Sequence, residues 1–168
     1  MKKEKFLTVF AVFDDETQIK LKHLQDEIFK LGYKGSQTMG IPFHITLGSF
    51  PLECESELIN RIKETCSKNT QFDITLDKIN NFGNAVLFAE PVINESLLNL
   101  HNTFNNNYAD GLPYHPHATI FCGTEEEFMN AKDLLSKIFQ PIHAKIVGIQ
   151  MGEFFPTRMI SDESLINI

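Results

Sequence analysis

Arginine is almost missing from this chain. Arg61 and Arg158 are the only two in 168 residues, and Asp plus Glu outnumber Lys plus Arg by 22 to 15, a net charge of −7. A protein that grips a long nucleic acid neutralises many phosphates and carries a basic face. The composition therefore argues against an extended nucleic-acid surface. A local basic cleft stays compatible with it, because net charge does not report distribution. Cysteine is scarce too. Cys54, Cys66 and Cys122 make an odd number without metal-ligand spacing, the pattern of free thiols in a reducing compartment. Long apolar runs are absent: a stretch such as Phe6 to Phe13 is far too short to cross a bilayer. The opening Met1-Lys2-Lys3-Glu4-Lys5 leads into a β-like run, not into an apolar signal segment with a cleavage site. A cytoplasmic monomer without membrane contact is expected. The apolar fraction of 42% is ordinary, and the length suits one domain or two small lobes on a shared core.

What the chain does have is order, and the order repeats. Phe6 to Phe13 is rich in β-branched and aromatic residues and reads as a buried strand. Ile19, Leu21, Leu24, Ile28 and Leu31 follow at roughly helical spacing after a cap at Asp14, Asp15 or Thr17, and Gly32 ends that helix. A glycine-punctuated loop leads to a strand starting at His44. A helix over 53–67, an alternating strand over 72–79, a turn at 80–84 and a strand at 85–89 come next. Then the series begins again. A helix is predicted over 92–108, a loop over 105–113, a strand over 117–121, and a helix opened by the capping box Thr124 to Glu127. A long strand over 142–154 is broken by Pro156, and the tail has room for one last short strand. Equivalent elements lie 72 to 79 residues apart (strands starting at 72 and 144, and at 6 and 85). Near-equal offsets of this kind point to an internal duplication.

The two copies share one motif. Pro42-Phe43-His44-Ile45-Thr46-Leu47-Gly48 and His115-Pro116-His117-Ala118-Thr119-Ile120 each carry His-x-Thr, 73 residues apart. Side chains alternate along a strand, so His44 and Thr46 share one face, as do His117 and Thr119, about 6–7 Å apart along each strand. Ile45, Leu47, Ala118 and Ile120 fall on the other, apolar face. Two copies related by a pseudo-two-fold axis would bring both pairs into one cleft.

The remaining polar residues read more plainly. His115 with His117 is at most half a metal site, and no third ligand of suitable spacing follows. His23 and His101 belong to helix surfaces, and His143 reads as structural. Cys122 falls off the His117 face by alternation and reads as a core thiol. Phe13 and Phe82 are the aromatics placed near strand ends where a base could stack. Lys34, Lys145 and Arg158 read as solvated charges. The acidic helix starts at 53–57 and 125–127 complement the helix dipole.

Two His-x-Thr strands in a duplicated α/β unit resemble the 2H phosphoesterase superfamily, which includes the LigT-like 2′-5′ RNA ligase proteins and the cyclic phosphodiesterases. The resemblance covers nearly the whole chain. It implies an α+β (α/β) bilobal, duplicated fold: two antiparallel sheets form a central cleft with helices outside. Residues 1–168 would then be one domain of two pseudo-symmetric lobes, roughly 1–80 and 81–168, with strands free to exchange between them. It implies His44 and His117 as the catalytic pair, Thr46 and Thr119 as phosphate-binding residues, and neither metal nor cofactor. The substrate implied is a 2′,3′-cyclic or 2′-5′ phosphodiester of a small nucleotide or an RNA terminus. The chemistry fits the residue types. Imidazole titrates at about 6.5, so one copy can act as base and the other as acid. A hydroxyl beside each can donate to non-bridging phosphate oxygens. A non-catalytic nucleotide-binding module and a reversible 2′-5′ RNA ligase are the alternatives. The shortage of arginine, and Cys122 where RNA-processing members would carry a more polar residue, favour a small nucleotide.

Overall fold

The computed structural model describes residues 4–105 and 113–167. Strand β1 (Phe6–Phe13) is followed by helix α1 (Asp15–Phe29), β2 (His44–Phe50), a single 3₁₀ turn (Leu52–Cys54), α2 (Glu55–Lys68) and β3 (Phe72–Phe82). Then come β4 (Val86–Pro91), α3 (Glu95–Phe104), β5 (Ala118–Cys122), α4 (Glu125–Ile138), β6 (Ile142–Phe154) and β7 (Arg158–Ser164). The result is a mixed α/β architecture with an antiparallel sheet and four helices among the described residues, as expected. Most of the predicted 105–113 loop, and the predicted helix end at 106–108, lie outside the described residues.

Helix α4 starts at its predicted cap and α1 at one of its three candidates, whereas α2 and α3, expected from 53 and 92, start at Glu55 and Glu95. Asp14 accepts from Thr17 N, Asn94 from Leu97 N and Thr124 from Glu127 N, each cap contributing about 1 kcal/mol. The apolar stripe of α1 differs from expectation. Its buried face is Thr17, Leu21, Leu24, Gln25 and Ile28, while Ile19 is 70% exposed and Leu31 lies beyond the helix end. At 100° per residue, position 19 points away from 17, 21, 24 and 28. Hydrophobicity alone could not separate Ile19 from its neighbours. Ile93, within the predicted 92–108 helix, falls before α3 begins, and it and Leu98 on α3 are exposed.

These strands belong to one sheet, of order β2-β1-β6-β3-β4-β5, with β7 added on β6. The two sheets expected from the resemblance are thus joined through β6. Its first residues pair with β3 (Phe72↔Ile146 to Leu76↔Ile142), and its remainder pairs with β1 (Phe6↔Phe154 to Phe13↔Ile146). The order reads the same from both ends when each strand is exchanged for its counterpart in the other copy: β2 for β5, β1 for β4, β6 for β3. The two end strands, β2 and β5, come into contact with each other, so the sheet curls and its two motif-bearing edges meet.

Strand β1 shows how the two faces divide. Leu7, Val9, Ala11 and Phe13 join the main core under the helices, and Phe13 is thereby a core residue. Phe10 and Val12 form a second cluster with Phe154, backed by Phe6 and Ile41, on the concave side. Strand β4 divides the same way, with Leu87 and Ala89 in the main core and Phe88 on the other face. Free thiols are observed at Cys54, Cys66 and Cys122. Burial pushes the Cys66 thiol up to about 11, with Glu163 adding to the effect.

The end of α3 sits directly on β2. A Cβ built on Gly48 would stand 2.2 Å from the carbonyl oxygen of Phe104, and Phe104 itself is fully buried. Backbone cannot yield as a side chain does. Gly48→Ala is therefore expected to destabilise the fold by about 1–3 kcal/mol, the usual cost of overpacking, read as a lower urea midpoint. An unchanged midpoint would mean that α3 is not seated on β2 in solution.

Candidate functional site

The two motif histidines are held in the same way. His44 Nδ1 lies 2.8 Å from Pro42 O, and His117 Nδ1 lies 2.8 Å from His115 O. A carbonyl only accepts, so Nδ1 carries the proton in both rings. Nε2 is then the nitrogen left for chemistry in each. Each ring also leans on a phenylalanine of the neighbouring strand: Phe10 at 4.4 Å from His44 and Phe88 at 5.2 Å from His117, centre to centre. Those phenylalanines are register partners of the motif threonines, Phe10↔Thr46 and Phe88↔Thr119.

The correspondence extends to the backbone. The β1–β2 register shifts between Val9 and Phe10, leaving Leu47 as an extra residue, and the β4–β5 register shifts between Leu87 and Phe88, leaving Ile120 extra. Both bulges fall three residues after the histidine. A bulge takes carbonyls out of the ladder, and a buried carbonyl needs a partner. In β5 the buried Gln25 donates to Ile120 O at 2.8 Å. In β2 Tyr114 Oη donates to Thr46 O at 2.9 Å, and His101 Nδ1 donates to Leu47 O at 3.1 Å. Tyr114 and His101 stack on each other, 3.5 Å apart and nearly parallel. Burial pushes the Tyr114 phenol up, so it keeps the proton it donates. Sequence reasoning placed His101 on a helix surface. The structure makes it a brace for the motif strand, and only its position on the face of α3 toward β2 could have suggested so.

The bulge also corrects the reading of Cys122. Strict alternation from His117 puts Phe121 in the cleft and Cys122 in the core. The extra residue at Ile120 reverses the phase, so Phe121 is fully buried and Cys122 lines a cavity with Thr119. Burial raises its thiol above the ordinary value, so it is not a ready thiolate.

That cavity holds about 450 Å³ and is walled by His44, Thr46 and Thr119 among others. Its roof is the segment 36–43. The roof is tied down by Ser36 N to Cys122 O at 2.7 Å and by Cys122 N to Gln37 Oε1 at 3.1 Å. Gly35, at φ +71°, passes so close that a Cβ would meet Cys122 O at 2.5 Å. Gln18 grips Phe43 through both backbone groups, each at 2.8 Å. His117 is not on the cavity wall. It stands two residues before Thr119, near enough for its charge to act on His44.

Burial, above all, holds the His44 imidazole below its ordinary value; the Pro42 carbonyl opposes this and the charge of His117 adds to it. His117 is also lowered, first by burial, with the His115 carbonyl opposing and the His115 charge adding. The stability carried by these neutral rings is fully present above about pH 6.5 and is lost as pH falls through their lowered folded values.

The surroundings of the two rings differ. His115 Nε2 donates to Glu90 at 2.7 Å, and Glu90 also takes Lys78 at 3.2 Å and Asn80 at 3.3 Å. Burial works to raise the Glu90 carboxyl, and the hydrogen bonds from Lys78, Asn80 and His115 outweigh it, leaving it below the ordinary value. Phe82 sets its ring edge-on to His117 at 4.8 Å and to His115 at 5.2 Å. Arg158, read as a solvated charge, is instead tied to Glu153 and Glu55, and Arg61 to Glu57. Lys22 is the cavity's cation among the described residues, and it is paired with Asp26. No group of three His, Cys, Asp or Glu side chains stands together to hold a metal ion among the described residues. No helix among them is long and apolar enough to cross a membrane.

Comparison with solved structures returns this fold. The E. coli LigT complexed with NADP+ matches at a TM-score of 0.66 and 18% identity, over 97% of this chain and 99% of that one. TT0787 of Thermus thermophilus matches at 0.65 and 15%, over 95% and 97%. At such identities the likeness speaks for the fold. No curated protein matches the chain. The family model of the 2′-5′ RNA ligase superfamily matches residues 13–153, most of the sequence. By that match and its LigT-like fold, the chain belongs to the 2′-5′ RNA ligase superfamily, the 2H phosphoesterases.

Proposed function

We propose that this protein hydrolyses a 2′,3′-cyclic or 2′-5′ phosphodiester of a small nucleotide, with His44 and His117 exchanging protons and Thr46 and Thr119 holding the phosphate. The observation that carries this reading is the matched treatment of the two imidazoles. Each gives Nδ1–H to the carbonyl two residues before it and leaves Nε2 for the substrate. In the reaction, one neutral imidazole takes a proton from water as the oxygen attacks phosphorus. The phosphorus–ribose oxygen bond opposite breaks, and the other, protonated imidazole gives its proton to the departing oxygen. The product is a phosphomonoester, and the two rings end with protonation states exchanged, to be reset by solvent. Charge that grows on the non-bridging oxygens meets the threonine hydroxyls. The likeness to LigT, solved with 3′-AMP, ATP, NADP+ and phosphate, favours a nucleotide over other phosphodiesters. Both arginines are committed to carboxylates, which disfavours long RNA and, with it, ligation of RNA ends.

Asparagine preserves a donor near the position of Nδ1 but cannot relay a proton. His44→Asn and His117→Asn are each expected to lower kcat/KM on a cyclic mononucleotide by about 10²–10⁴-fold, with urea midpoints near that of the parent. Turnover by either variant at the parental rate would overturn the assignment.

The pH profile follows from the lowered imidazoles. kcat/KM reports the free enzyme, where one ring must be neutral and one protonated. Both titrate below their ordinary value, so the bell should peak on the acid side of about pH 6.5. A bound phosphate adds negative charge beside both rings and raises both. The kcat bell should therefore sit at higher pH than the kcat/KM bell. Superimposed bells, or a kcat/KM maximum above about pH 7, would contradict the two-histidine mechanism.

A further inference from the structure

The cavity beside the motif histidine and threonines extends well past them. Among the described residues it is walled by both motif strands, at Thr46, Thr119 and Cys122, and it leads away from the motifs along β1, past Thr8 to Phe6 and the Phe154–Phe155 pair. Phe10, which backs His44, and Phe6 are four residues apart on that strand, roughly 13 Å. That is the length of a nucleotide and more than an isolated phosphate needs. The volume, about 450 Å³, falls within the ordinary range for small-molecule sites.

The walls are aromatic and apolar where they lie far from the motifs. Phe155 is 59% exposed and Met39, on the roof, is 56% exposed, both on the cavity. Phe155 is steadied by edge contacts with Phe154 at 5.3 Å and with Phe6 at 6.3 Å. A phenylalanine fixed by its neighbours and still more than half bare is placed to meet a flat ring. The Met39 thioether on the wall of the same cavity adapts to whatever ring enters. Ser36 and Thr38 add hydroxyls along the roof, where the edge of a heterocycle would need partners. Lys22, the cation on the wall among the described residues, is neutralised by Asp26, so it does not favour a second phosphate or a continuing polyanion.

We propose that this cavity is a nucleoside slot: Phe155 stacks the base of a single nucleotide whose phosphate lies against His44, Thr46 and Thr119. The inference rests on the phosphate reading above. It adds that selectivity for a mononucleotide is built by the 36–43 roof and the β6–β7 turn.

Binding separates this proposal from turnover. Titration calorimetry would compare adenosine 3′-monophosphate with a base-free analogue, methyl riboside 3-phosphate, on the full chain. Stacking on an aromatic side chain is worth about 5- to 150-fold in affinity per base. The parent protein should prefer the nucleotide by about that factor. Phe155→Ala should bring the two ligands close to equal affinity, and Phe155→Tyr should keep the preference. Phe82→Ala, on the His117 side, should leave it unchanged. A preference that survives Phe155→Ala, or one lost in Phe82→Ala instead, overturns the slot. So does a parent protein that binds both ligands equally. If the preference follows Phe155 while cyclic nucleotides are not turned over, the slot stands and the hydrolytic reading falls.

Discussion

The antiparallel pairing of β3 with β6 is the contact on which the rest depends. It runs from Phe72↔Ile146 to Leu76↔Ile142 and joins two copies of the same strand-helix series into one sheet. Each copy gives its last strand to the other, β3 lying against β4 and β6 against β1. That exchange makes the motif strands the two ends of the sheet, and the curl of the sheet makes the ends meet. Without it, two His-x-Thr strands would sit on separate sheets with no reason to face each other.

Ending a sheet on a functional strand carries a cost, because edge strands expose unpaired backbone. Here those backbone groups are used. The segment after α1 covers β5 through Cys122. The stacked His101 and Tyr114 reach β2 and take the carbonyls that its bulge releases from the ladder. Tyr114 comes from the approach to β5, so the bond that satisfies one edge also ties the two ends together. A polar residue that looks incidental in sequence thus holds the relative position of both motifs.

Symmetry stops at the first layer around the histidines. The carbonyl that fixes His44 belongs to Pro42, and the adjoining Phe43 is gripped by Gln18 from α1. The carbonyl that fixes His117 belongs to His115, which is anchored by Glu90 from β4. The two arrangements do the same positional work with different chemistry, one a rigid ring and an amide, the other an imidazole bound to a carboxylate. The described cavity has an apolar wall at Phe6, Phe154 and Phe155 and a roof from the segment 36–43.

The duplicated series, the helix caps at Asp14 and Thr124, the span of β1 and β6, and both His-x-Thr pairs were legible in the sequence, because each is a local matter of periodicity and residue type. Membership of the family was legible too, since two motifs in a repeated context are specific where one is not. The exposed faces of Ile19 and Leu98 were not, because hydrophobicity does not say which side of a helix is covered. Nor was the place of Cys122, because a bulge is set by pairing with β4 and reverses every side chain after it. Sequence alone therefore determined that one His-x-Thr pattern occurs twice and on which residues it falls. Tertiary structure alone decided the strand exchange that brings the copies together, the braces on the bulged carbonyls, and the cavity that runs from Thr119 to Phe155. These arise from contacts between segments far apart in the chain, such as Gln25 with Ile120 and Tyr114 with Thr46, and no local pattern encodes them.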